Sequence, residues 1–169
     1  MSIETSSRPQ APYVADERTM LEGFLDFHRA TLLWKCEGLS DDELKRRAVP
    51  PSPISLLGLV RHLTEVERGW FLDFTGTYDG AVYVSKDAPE ADWDGVDDAD
   101  PATDMARYKA EVDRIRAELA GRDLDETQVD QTRGTVSLRW IYNHMVEEYA
   151  RHNGHADLIR EVIDGATGE

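Results

Sequence analysis

Four segments of this chain carry apolar residues at steps of three and four, and each is closed by a glycine. That spacing puts one apolar stripe along one side of an α-helix, and such a stripe has to be buried. The first segment, Glu17 to about Glu37, aligns Met20, Phe24, Phe27, Thr31 and Trp34, with Asp16 as N-cap and Gly38 as stop. The second, from near Pro53 to Phe74, aligns Leu56, Leu59, Leu63, Val66 and Trp70 ahead of Gly76. The third, Pro101 to about Ala120, aligns Met105, Tyr108, Val112, Ile115 and Leu119 ahead of Gly121. The fourth starts near Ser137 and runs to Ile163, ahead of Gly165. Long amphipathic helices, with no alternating apolar run long enough for a sheet, predict an all-α domain packed most simply as a four-helix bundle.

Between these segments the chain is polar. Residues 1–15 read as a flexible N-terminal arm and residues 16–165 as a single domain. Ser40-Asp41-Asp42-Glu43 is a capping box opening a short helical turn, which the prolines at 50, 51 and 53 stop. From Thr77 to Asp104 the chain holds nine Asp/Glu against the single Lys86. This is expected to be a long acidic loop between the second and third long helices, with an extended piece at Ala81–Val84. Loops of that length in compact domains tend to carry function. Arg122 to Thr135 reads as a polar link whose Gly134 suits a turn.

Charge narrows the partners. With 19 Lys+Arg against 34 Asp+Glu, the net charge of −15 disfavours nucleic acid and anionic membrane surfaces, which need clustered cations. The single cysteine, Cys36, excludes an intrachain disulfide and a multi-cysteine metal cage, and is read as a packing residue. No apolar run approaches ~18 residues and Met1–Val14 lacks a signal-like stretch, so the expected compartment is the cytoplasm.

The chemistry concentrates on the last helix. At about 100° per residue, His144, Glu148, His152 and His155 share roughly 80° of arc with Ile141, Met145, Ala156 and Ile159. Polar groups on an inward face need partners, and a divalent metal is a common one. Glu148 and His152, one turn apart, suit two ligands on one ion, and His62 on the inward stripe of the second helix offers a third. Such a set leaves a coordination position open for water or substrate. The competing account makes His62 a satisfied core histidine and His144–Glu148 an ordinary i,i+4 pair. Trp70, Trp140, Tyr142 and Tyr149 read as core and bundle-end aromatics, and His28 as a surface or rim residue. No phosphate loop or His-Glu-x-x-His protease pattern is present.

Leu59-Val60-Arg61-His62-Leu63, together with the run from Glu148 through Tyr149, His152, Gly154 and His155 to Glu161, resembles the DinB/YfiT superfamily of four-helix metalloproteins. The His/Glu/His variant is similar to the mycothiol-dependent maleylpyruvate isomerase branch, as a short, single-domain member. The resemblance implies an up-down-down-up bundle and a homodimer. It makes His62, Glu148 and His152 the metal ligands and places His155, and His144 one turn further back, beside the site as contacts to the thiol cofactor. It implies a divalent metal, zinc before nickel, with mycothiol as thiol co-substrate, in a thiol-dependent S-transferase or isomerase acting on a small molecule. The alternative is a non-catalytic metal- or ligand-binding bundle linked to stress.

Overall fold

In the computed structural model of the protein, residues 8–130 and 134–168 are described. The expectation of a flexible arm at residues 1–7, and the part of the polar link at 131–133, lie outside the described residues. The chain is mostly helical. Its elements are α1 (Glu17–Cys36), α2 (Asp41–Lys45), α3 (Leu56–Glu67), a π-helical turn (Arg68–Leu72), α4 (Asp73–Thr75), α5 (Ala91–Asp94), α6 (Pro101–Leu119), strands β1 (Thr127–Asp130) and β2 (Gly134–Ser137), and α7 (Leu138–Asp164).

The caps account for the boundaries. The Asp16, Ser55, Asp100 and Ser137 side chains accept from backbone N–H groups in the first turns of α1, α3, α6 and α7, and Ser40 with Glu43 forms the capping box of α2. One core joins the helices: Leu25 and Leu32 from α1, Leu56, Leu59 and Leu63 from α3, Tyr108 and Ile115 from α6, Ile141 and Met145 from α7.

Three expectations need correction. On α1, Thr31 and Trp34 of the expected stripe are buried, but Phe24 is 44% exposed and burial extends to Leu25, Arg29, Leu32 and Cys36. The buried face is broader than the expected stripe and reaches Leu25 and Leu32, with an arginine in the middle of it. The domain is also not purely α: within the Arg122–Thr135 link, β1 and β2 form an antiparallel hairpin with Val129 opposite Thr135. β1 alternates exposed and half-buried positions, but the half-buried ones are Gln128 and Asp130 while Val129 is 73% exposed, so no apolar period marks it in the sequence. Finally, Ala81–Val84 is not a strand. The N–H groups of Val82, Tyr83 and Val84 donate instead to the Glu65 carboxylate on α3.

Polar contacts show how the long helices run. Arg139, at the start of α7, meets Glu17 at the start of α1 at 2.8 Å, and Arg160 near the end of α7 donates to the Lys35 carbonyl at the end of α1 (2.8 Å). Between α3, its π-helical continuation and α6, Arg61 meets Asp104 (3.1 Å) and Arg68 meets Glu111 (2.6 Å). Across α3 and α7, His62 lies by His152 while Trp70 lies by Trp140, so these two run in opposite senses.

Candidate metal centre

His62 on α3 and Glu148 and His152 on α7 converge. Each offers one ligand atom, and the three atoms lie within 4.8 Å of one another. Glu148 Oε2 is 3.4 Å from His152 Nε2, and the His62 and His152 rings meet edge to face at 4.9 Å. A tetrahedral ion with bonds of about 2.0–2.2 Å holds its ligand atoms about 3.3–3.6 Å apart, a spacing that the Glu148–His152 pair meets, while the three atoms together span up to 4.8 Å.

The donor set also suits a cation. The Glu148 side chain is 15% exposed, yet its ionic contacts are all long: 3.4 Å to His152, 3.5 Å to His144 and 3.8 Å to Arg151. Charge-assisted hydrogen bonds normally close to about 2.7–2.9 Å. Burial, then the nearby His62 and His155, push His152 down to about 4, so its ring is neutral at pH 7 and keeps a lone pair. A neutral imidazole is the form that ligates.

The acidic loop completes the arrangement. Its Asp92, buried on α5, places Oδ2 2.8 Å from His62 Nδ1, which leaves Nε2 as the ring nitrogen for an ion. Trp93 stacks on His62 at 4.5 Å. A Cβ on Gly58 would meet Trp93 Cε3 at 2.9 Å, so only glycine at that point of α3 lets the indole settle there. Buried Arg61 fixes α5 by donating to the Ala91 and Asp92 carbonyls (2.9 and 3.1 Å) while pairing with Asp104.

Of the remaining sequence candidates, His155 and His144 lie beside this centre. Half-buried His155 lies 3.4 Å from His152, Nδ1 to Nδ1. His144 stacks on Trp140 at 4.9 Å with Trp70 edge-on at 4.8 Å. These two indoles therefore border the site, and Trp140 is 44% exposed, while Tyr142 and Tyr149 are core. His28 is not brought to the cluster; it accepts at its carbonyl from Asn153 at 3.1 Å. Cys36 is buried, and burial pushes its thiol up to about 12, leaving no ready nucleophile. Asp92 and Trp93 escaped the sequence reading. Among nine acidic residues of one loop, nothing marks Asp92 except its neighbouring tryptophan.

The family model MST, mycothiol-S-transferase, matches residues 20–165. No curated protein matches the chain.

Proposed function

Because the chain belongs to the mycothiol-S-transferase family, we propose that it is a metal-dependent enzyme that joins the sulfur of mycothiol to a small electrophilic substrate. His62, Glu148 and His152 hold the ion in this reading, and their two-nitrogen, one-oxygen set suits zinc first and nickel second. The observation that carries it is the convergence of three ligand atoms on a carboxylate with no close cationic partner. When bound, a divalent ion supplies Lewis acidity that lowers the pKa of a neighbouring thiol. The chain's own residues bind and orient: Asp92 holds the His62 ring, and His155 and His144 flank the ligands where the thiol cofactor makes contact.

The same reading extends to the fold and the assembly. Contacts between starts and between ends of α1 and α7, the in-step pairs of α3 and α6, and the opposed run of α3 against α7 support an up-down-down-up four-helix bundle. A homodimer is part of the proposal; exposed Leu158 and Val162, one turn apart on α7, offer apolar surface for it. A cytoplasmic location is proposed as well; among the described residues, no helix is long and apolar enough to cross a membrane.

Metal analysis of purified protein, beside the alanine variants of His62, Glu148 and His152 and a mycothiol assay against a panel of electrophiles, tests this reading. Bound metal that each variant loses, together with thiol transfer, is expected. Metal-free wild-type protein overturns it. Metal-loaded protein that neither turns over nor changes its cobalt spectrum on adding thiol is instead a non-catalytic binding bundle.

A further inference from the structure

Beyond His144, the α7 wall continues into a cavity of about 250 Å³ closed by α3, the π-helical turn and the β1–β2 hairpin. We propose that this groove holds the polyol end of the thiol substrate, a neutral hydroxyl-rich group lying on Trp70 and hydrogen-bonded by Asp73 and Gln128. The proposal rests on the preceding reading, in which the thiol itself lies at His62, Glu148 and His152.

The groove neighbours that centre, with the His144 ring between them. Trp70 meets His144 edge-on at 4.8 Å, and His144 Nε2 lies 3.5 Å from Glu148 Oε1. Ile141, on the groove wall, is seven residues before Glu148 on the same helix, about 10 Å along the axis. A sulfur at the centre attached to a group in the groove therefore needs a substrate of about that span, and mycothiol is a cysteine-derived thiol carrying a sugar and a cyclitol.

The lining chooses the chemistry. Val66, Ile141 and the Trp70 indole give a flat apolar floor suited to the C–H face of a sugar ring. Beside this floor the Asp73 carboxylate, one helical turn on from Trp70, and the Gln128 amide of β1, 3.4 Å apart, accept from and donate to hydroxyl groups. Among the described lining residues there is no lysine or arginine, and Asp130 adds a second carboxylate, a lining that favours a neutral group over an anionic one. Gly69 adds an independent sign. A Cβ there would meet nothing within 4 Å, so close approach does not demand glycine in this turn, although glycine weakens a helix. Its missing side chain keeps the groove open. The π-helical turn that carries Gly69 and Trp70 is a form frequent at functional sites.

Calorimetry on the metal-loaded protein tests this with two probes: mycothiol, and N-acetylcysteine, which has the thiol but no sugar. Asp73→Asn alters an exposed carboxylate and Gly69→Phe fills open space, so both should fold, which circular dichroism checks. Loss of hydrogen bonds or of the groove should weaken mycothiol by about tenfold or more and leave N-acetylcysteine unchanged. Unchanged mycothiol affinity in both variants overturns the groove assignment and leaves the thiol-transfer reading standing. Equal weakening of both thiols overturns it too, because the sugar is then not what the groove reads. Wild-type protein that binds neither thiol overturns both readings.

Discussion

Asp92 Oδ2 lies 2.8 Å from His62 Nδ1, across 30 residues of chain and from a mostly exposed acidic loop. This contact fixes the ring orientation of one candidate ligand and ties the loop to the centre. A carboxylate behind a ligating imidazole also strengthens the ligand's donor atom, and its loss typically costs about 10–100-fold in metal affinity. Asp92→Asn is expected to weaken metal binding by that amount with unchanged helicity, measured by competition with a chelator. An affinity within about twofold of wild type would show that His62 needs no such support, against the same expectation of about tenfold or more.

A second buried arrangement locks the helices on which the centre depends. Arg29 on α1 donates to both carboxylate oxygens of Glu67 (2.7 and 2.6 Å), Tyr149 donates to the same carboxylate at 2.6 Å, and Tyr108 lies 2.8 Å from Tyr149. Burial pulls Arg29 toward neutrality, but the Glu67 charge and hydrogen bonds outweigh it and hold the guanidinium charged. Tyr149 directly follows Glu148, so this network sets the register of α7 against α3 at the site. Breaking a buried pair by removing one partner costs ~3–5 kcal/mol, since the other charge is left alone. Arg29→Met should lose that much in urea denaturation. Arg29→Met combined with Glu67→Leu should recover part of it, because no unpaired charge remains. A single variant losing under ~1 kcal/mol, when ~3–5 is expected of a buried pair, would mean that water reaches Glu67.

The ionisation of His152 gives a pH prediction for the metal-free protein. Its folded pKa of about 4 lies below the ordinary 6.5, so between these values the unfolded chain binds the extra proton. The stability linked to the neutral ring is complete above about pH 6.5 and is lost as pH falls toward about 4. Other carboxylates also titrate in this window, so the measurement is a difference. The stability of His152→Gln, followed by chemical denaturation, should fall less between pH 7 and pH 5 than that of wild type. Parallel curves for the two proteins would show that the buried ring is not what resists protonation.

Helix positions were legible because four stripes, each closed by a glycine, produce a signal over many residues. Single contacts were not. Arg29 hid part of the buried face of α1, because a charged residue there is accepted only when a partner such as Glu67 arrives from 38 positions away. The hairpin was too short and too exposed to show a period. His62, Glu148 and His152 stood out since polar groups on apolar faces are conspicuous. Asp92 was invisible for the opposite reason, as one acid among many whose burial depends on Arg61 and Trp93 holding α5 against α3.

Glu148 discriminates most sharply between a metal ligand and an ordinary surface pair. Its three ionic contacts are long, so as a simple pair it would contribute only ~0–1 kcal/mol. Glu148→Gln should then be mild in every assay. As a ligand, the same change substitutes a neutral amide for a carboxylate and should strip metal from the purified protein. Glu148→His should largely keep the metal, because the imidazole stands on the same turn and presents nitrogen to the same ion. Glu147 is the internal control. It is exposed, pairs with Arg151 and His144, and points about 100° away on the helix, so Glu147→Gln should leave metal content unchanged. Metal content measured by elemental analysis should therefore fall only in Glu148→Gln. Equal loading in all three variants would remove Glu148 from the ligand set and leave His62 and His152 short of a site.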